Sequence, residues 1–347
     1  MPRQLGMTRF HELWKRTVQD PSGSRTILSM ASKTPIQWCD SAVNPIMGCC
    51  GCELWSGEGS VPPRCYAAFL HLMRGGISKG YAPWFGLPTL FPGRTSQAAS
   101  WSDLSGTKRQ DKPWLDGLPR LIFTSDMGDA LSPGEYRWAS DLERYEVDGK
   151  PRYRPAPGKI RTEGGVPFTF LEQELIDVAS SQKGRRHIWQ WLTKLPGRGQ
   201  RFVAWLAERG KRWPENLWIG TSVTSAGSLG RVRELVQMGD ERTLRFVSVE
   251  PLWGPVSLVD FLERGQVQWV IVGGESKQGK EVPKPFNVDW AREIRDDCGR
   301  FGVPLFVKQL GSSPFERSAP LRLRDGHGGA WAEWPTDLRV RELPSVA

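Results

Sequence analysis

Four of the six cysteines in this 347-residue chain, Cys49, Cys50, Cys52 and Cys65, fall within seventeen positions, in a stretch (residues 44–67) reading NPIMGCCGCELWSGEGSVPPRCYA. Cys39 and Cys298 stand apart from them. Cys49 and Cys52 form C-x-x-C, a spacing in which one turn of chain brings two thiolates to the same metal or cluster, and Cys65 follows after twelve intervening residues. The count of three is informative. Structural zinc favours a closed set of four ligands, whereas a [4Fe–4S] cluster on three thiolates keeps one iron open for a substrate or cofactor. Cys50 could replace Cys49 or add a fourth thiol; Cys49 is preferred because a single residue separates Cys50 from Cys52. A zinc site completed by Cys39, Cys50 or His71 stays open as the alternative.

Such a loop needs a frame to hold it. Short apolar or β-branched runs recur at Ile36–Trp38, Leu121–Thr124, His187–Thr193, Leu217–Val223, Leu244–Val249, Trp269–Val272 and Pro304–Val307. Between most of them lie stretches with helical character: Cys65–Arg74, Phe170–Ser180, Gly199–Glu208, Leu229–Met238 and Val288–Arg300. Strands alternating with helices predict an α/β protein whose strands pair in parallel through right-handed crossovers. Near-continuous apolar runs fit strands covered on both faces. Seven units in one series favour a parallel (β/α) barrel, partial or complete, over an open doubly wound sheet. The expected organisation is an N-terminal arm (1–33), the barrel (34–310) with the cysteine loop at 44–67 and a charged insertion at 132–166, and a C-terminal extension (311–347) packing on the barrel. The stretch Tyr81–Lys112, rich in Gly, Pro, Ser and Thr, reads as an ordered surface loop. The insertion would cover the site, grip a large substrate, or stand as a solvated hairpin with no role.

The strands run into polar groups. Leu121–Thr124 is followed by Ser125-Asp126, His187–Leu192 by Thr193-Lys194 and Leu217–Gly220 by Thr221-Ser222; further on come Glu250, Gly273-Gly274-Glu275 and Lys308-Gln309. In α/β folds ligands bind at the C-terminal ends of strands, and the cysteine loop follows the first strand onto the same rim. Lys194, Glu250 and Lys308 are the candidate catalytic groups, with a structural ion pair such as Lys194 with Glu250 as the alternative role.

Lys plus Arg number 47 against 38 Asp plus Glu, a formal net charge of +9, and there are 17 Trp. A basic surface with many aromatics suits an anionic partner such as nucleic acid, although most Trp fill cores. No run of about 18 apolar residues occurs and MPRQLGMTRFHELWKRT lacks a signal-peptide apolar segment, so a cytosolic protein without a membrane partner is expected. In a reducing compartment clustered cysteines bind metal or do redox chemistry more often than they form disulfides.

The blocks TPIQWCDSAVNPIMGC, RCYA, FTSDM, WQWLTKLPGR, LWIGTSV, RFVSVEPLWGP, WVIVGGES and VPLFVKQLG occur in that order. Together they resemble a phage-encoded three-cysteine family with radical-SAM-like barrels, found in phages, prophages and bacteria, over about residues 34 to 343. The resemblance implies a [4Fe–4S] cluster on Cys49, Cys52 and Cys65, with S-adenosyl-L-methionine on the open iron and an external one-electron reductant. Cofactor contacts would come from Ser125, Asp126, Ser222, Gly273, Gly274 and Glu275. Two departures stand out. The commonest radical-SAM spacing is C-x-x-x-C-x-x-C, and the Gly-Gly-Glu of that superfamily lies near the second strand, whereas Gly273-Gly274-Glu275 follows a late one.

For the substrate, the resemblance and the charge together point to DNA or a modified nucleotide. The implied reaction is an isomerisation of amino-acid-substituted thymidine, from nitrogen-linked to carbon-linked glycine, during phage DNA hypermodification in the host cytoplasm. Phosphate contacts would supply affinity, and a base in duplex DNA would have to be flipped out. Two other readings compete: a metal-stabilised nucleic-acid-binding protein without turnover, and a radical repair-type lyase.

Overall fold

The computed structural model describes residues 30–31, 33–55, 64–74, 84–155, 159–162, 164–278 and 281–346. The expected N-terminal arm, apart from residues 30–31 and 33, and residues 56–63 of the cysteine loop lie outside the described residues.

Seven strands form one parallel sheet in chain order: β1 (Ser41–Val43), β2 (Arg120–Thr124), β3 (His187–Thr193), β4 (Leu217–Ser222), β5 (Arg245–Val249), β6 (Trp269–Gly273) and β7 (Leu305–Gln309). Each pairs only with its neighbours in sequence, and Met30–Ala31 adds a short antiparallel strand outside β1. Among the described residues β1 and β7 do not meet, so the curled sheet is a half-barrel, the partial form of the expected architecture.

Strand periodicity sorts the core into two layers. Outward side chains, among them Ile122, Trp189, Trp191, Ile219, Val247 and Val270, pack under helices through Phe202, Leu206, Val232, Ala291 and Ile294. Inward side chains form the second layer: Leu121, Phe123, Ile188, Trp218, Phe246, Trp269, Ile271 and Phe306, with Trp38 filling the concavity. Gly220 is required there, since a Cβ would come 2.5 Å from the Phe246 ring. The helices are α1 (Tyr66–Arg74), α2 (Pro196–Glu208), α3 (Gly230–Leu235), α4 (Val259–Glu263) and α5 (Val288–Phe301). A further one between β2 and β3 runs as Phe168–Leu171, a π-helical Glu172–Asp177 and Val178–Ser180. The stretch read as a surface loop, Tyr81–Lys112, instead carries a strand (Thr89–Leu90) and a short helix (Arg94–Ala98) whose Leu90, Arg94, Thr95 and Ala98 are buried, because its apolar residues pack into the core.

The expectation that Ile36–Trp38 is the first strand fails; β1 begins at Ser41. The carbonyls that a ladder would use are taken by side chains. Lys112 Nζ donates to the carbonyls of Thr34 (2.8 Å), Ile36 (2.6 Å) and Cys39 (2.5 Å), and Trp114 Nε1 donates to that of Gln37 (2.7 Å). The apolar run is therefore the floor of the half-barrel.

Two additions frame the sheet. Within the 132–166 insertion, Leu142–Val147 and Lys150–Pro155 form an antiparallel hairpin turned by Asp148 and Gly149, both left-handed (φ 51° and 68°), as a tight hairpin turn requires. Arg137–Trp138 of the same insertion joins Thr89–Leu90 and Ile46–Met47 in a small sheet, tying the insertion to the root of the cysteine loop. The C-terminal extension runs along the free edge of β7: Val307 N donates to Val340 O (2.8 Å) and Glu342 N to Leu305 O (2.8 Å). Arg341 lies 4.0 Å from the Trp114 ring centre and 4.7 Å from that of Trp331.

Candidate functional site

The cysteine loop is rooted by one asparagine. Asn44, just after β1, accepts from Met127 N (2.9 Å) and donates to Asp126, while its carbonyl accepts from the buried Arg94 (2.8 Å). Beyond it, Gly48 (φ 101°) and Gly128 lie back to back: a Cβ on Gly128 would come 2.5 Å from Gly48 O, and one on Gly48 would come 2.7 Å from Phe85 O. Only glycine permits this approach of the loops after β1 and β2. Cys49 N then donates to Phe85 O (2.8 Å), and Cys52 and Trp55 exchange backbone bonds (2.8 and 2.9 Å). Cys65 N donates to Leu54 O (3.0 Å) immediately before α1, so the last cysteine lies beside the turn that carries Cys52.

Two ion pairs fasten this loop across the sheet. Glu53 is gripped by both terminal nitrogens of Arg231 (2.7 and 2.6 Å) and by Thr224 (3.2 Å), beyond the end of β4. Burial opposes ionisation of Glu53, but the Arg231 hydrogen bonds prevail and hold its carboxyl at about 2. Arg64 donates to Glu275 (3.0 Å), beyond the end of β6, and pairs with Glu281 (3.2 Å). The loop that leaves β1 is thus held over the C-terminal mouth of the half-barrel.

The thiols differ. Burial raises the Cys65 thiol. A hydrogen bond between neighbours raises Cys49 and lowers the exposed Cys50. Cys39 belongs to the floor and Cys298 to the outer layer, away from the loop. Among the described residues no three His, Cys, Asp or Glu side chains, Cys49, Cys52 and Cys65 included, lie close enough together to hold a metal ion. The donor set itself is thiol-only and half-buried, and at Cys65 burial disfavours a lone thiolate while the charge of Lys194 favours it. Cys49, Cys52 and Cys65 therefore fit a soft iron–sulfur group by donor chemistry.

Beneath the loop, the inward side chains of the strand ends are polar. Lys194 Nζ reaches Ser222 Oγ (3.3 Å), and Lys194 N donates to Asp129 (2.8 Å). Glu250 pairs with Lys308 (3.1 Å) and accepts from Ser248 (3.1 Å); the ion pair considered from sequence, Lys194 with Glu250, is not the one made. Gly273 lets Glu250 lie across β6, since a Cβ there would come 2.5 Å from its Oε1, and Gly274 leaves room for Leu310 O, 2.3 Å from its would-be Cβ. Glu275 is occupied by Arg64, Trp253 Nε1 (2.8 Å) and Lys284 N (3.1 Å), so it anchors the loop; Asp126 is occupied by Asn44.

Ser125 is different. It is 3% exposed, sits in the left-handed region at φ 67°, and its Oγ has no hydrogen-bond partner. A non-glycine residue held there costs about 1–3 kcal/mol, a strain found most often at ligand sites. Ser125→Gly is expected to raise unfolding stability by about 1 kcal/mol in urea titration, because glycine enters the left-handed region without strain. A destabilised Ser125→Gly protein would show that no such strain is stored there.

Sequence reasoning passed over Asn44, Glu53, Arg64, Asp129, Thr224 and Arg231. Glu53 and Arg64 lay inside the cysteine stretch, each next to a presumed ligand, and that adjacency was the available signal.

Residues 163–335 match a family model described as a protein of unknown function (DUF5131), just under half of the chain; the match runs from before β3 into the C-terminal extension and excludes the cysteine loop. No curated protein and no solved structure matches the chain. No helix among the described residues is long and apolar enough to cross a membrane.

Proposed function

We propose that this chain is a radical S-adenosylmethionine enzyme acting on an amino-acid-substituted thymidine. One observation carries the reading: a three-cysteine loop is fastened by Glu53–Arg231 and Arg64–Glu275 over a half-barrel mouth lined with Lys194, Ser222, Glu250 and Lys308. Cys49, Cys52 and Cys65 would hold a [4Fe–4S] cluster. When bound and reduced by an external one-electron donor, that cluster with S-adenosylmethionine supplies hydrogen abstraction.

The chain's own contribution is placement and shelter. The floor of Trp38, Phe246 and Trp269 closes the mouth from below and keeps water from the reacting carbon. Ser125 offers an unsatisfied hydroxyl to a bound cofactor. Lys194 and the Glu250–Lys308 pair present fixed charges that orient a zwitterionic amino-acid substituent, Lys toward its carboxylate and Glu toward its amine. Moving a glycine from nitrogen- to carbon-linkage on the thymine methyl requires attack on an unactivated C–H bond, which acid–base groups alone do not achieve. The net charge of +9 suits phage DNA or a nucleotide from it as the carrier of that base.

The test is anaerobic reconstitution with iron and sulfide, reduction in the presence of S-adenosylmethionine, and chromatography for 5′-deoxyadenosine. Its release supports the reading; none, under conditions where a known radical enzyme turns over, removes it. The same protein with one firmly bound zinc and no product would favour a metal-stabilised nucleic-acid-binding role.

A further inference from the structure

Beside the mouth, between α2 and the 132–166 insertion, lies an open pocket of about 470 Å³ lined by Tyr136, Gly164, Phe168, Arg198, Arg201 and Trp205 among others. Its volume is in the range of small-molecule sites, roughly 300–1,000 Å³. Two arginines from successive turns of α2 reach it. Arg198 is 9% exposed, with its guanidinium carbon 4.8 Å from the centre of the Phe168 ring. Its Nη2 donates to the carbonyls of Gly164 (2.6 Å) and Val166 (2.7 Å), but its buried Nη1 has no hydrogen-bond partner. An unmatched guanidinium nitrogen at such burial is costly. Arg201 is exposed and paired with no acid among the described residues. It is close enough to repel Arg198; burial, then Arg201, holds the Arg198 guanidinium below its usual value. Asp129, whose charge acts on Arg198, is already taken by Thr193 (2.8 Å) and Lys194 N (2.8 Å). Two adjoining positive charges, one with an idle donor, in an aromatic-walled recess form a receptor for an anion with several acceptor oxygens.

We propose that this pocket is a phosphate subsite that holds the backbone of a nucleic-acid strand whose target base enters the mouth. The connection is short: Arg198 lies four residues beyond Lys194, at the start of the helix that leaves the rim. A strand held there places a neighbouring nucleotide over the interior polar groups. Backbone contacts of this kind position a strand without reading its sequence. The inference rests on the nucleic-acid part of the reading above, and not on the cluster.

The experiment is fluorescence anisotropy of a labelled single-stranded 20-mer with the full chain at several salt concentrations, for wild type, Arg201→Ala and Arg198→Gln. Arg201→Ala touches no internal bond, so it tests the subsite even if Arg198→Gln fails to fold. The expected result is about a tenfold loss of affinity for Arg201→Ala, a salt slope lower by about one, and similar losses for unrelated sequences. Unchanged affinity and slope in Arg201→Ala overturns the proposal. Equal displacement by millimolar inorganic phosphate or thymidine monophosphate, with no dependence on oligonucleotide length, overturns the strand in favour of a free nucleotide. Loss of 5′-deoxyadenosine formation with Arg201-dependent binding intact would remove the radical reading and leave this one standing.

Discussion

Replacing Cys65 with Ala is expected to abolish both the broad visible absorbance of the anaerobically reconstituted chain and all release of 5′-deoxyadenosine. Cys65 is the one proposed ligand from outside the C-x-x-C turn, brought back by its bond to Leu54 and the start of α1. Two thiolates alone leave too few protein ligands for a four-iron group. The fold should survive: Cys65 is half-buried in a small cluster away from both main layers, so the metal-free variant should unfold within about 1 kcal/mol of wild type in urea. Cys298→Ala supplies the contrast. Its thiol is 1% exposed in the outer layer, so the substitution should lower stability by about 1 kcal/mol and leave colour and product intact. Cys50→Ala should also keep its colour. A bleached Cys298 or Cys50 variant, or a coloured Cys65 variant, would contradict the ligand assignment.

The second large effect concerns the root of the loop. Arg94 is 2% exposed, donates to Asn44 O, lies 3.5 Å from the Phe91 ring centre, and feels the charge of Glu174. Glu174 in turn accepts from Gly93 N, Thr95 N and the Thr95 hydroxyl. Removing one partner leaves the other charge buried and less compensated, at a cost of roughly 3–5 kcal/mol. Arg94→Ala should therefore lower the unfolding free energy from urea titration by that amount, and the folded fraction should reconstitute less iron because Asn44 loses the bond that sets the loop's departure. A loss under about 1 kcal/mol would mean that the arginine is held for some other reason.

How much of this was legible beforehand follows the physics of each element. Buried parallel strands write themselves as continuous apolar runs, so β2 through β7 could be read directly, as could helices with strong periodicity such as α5, capped by Asn287 and ended by Gly302 at φ 67°. Ile36–Trp38 misled because an apolar run reports burial and not pairing; here Lys112 and Trp114, more than seventy residues away, take its carbonyls. The cysteine spacing and the polar strand ends were visible because local spacing encodes them. The clamps were not. Glu53–Arg231 spans 178 residues and Arg64–Glu275 spans 211, and no local pattern pairs charges at such separations. The unsatisfied Ser125 hydroxyl and Arg198 Nη1 likewise exist only once neighbours are in place.

Cys49, Cys52 and Cys65 are proposed to hold a four-iron cluster over the mouth of the half-barrel. The metal and sulfide content of the wild-type chain purified without oxygen decides whether they do. A brown protein with about four irons and four sulfides per chain is expected. A colourless chain carrying one zinc and no sulfide would contradict it.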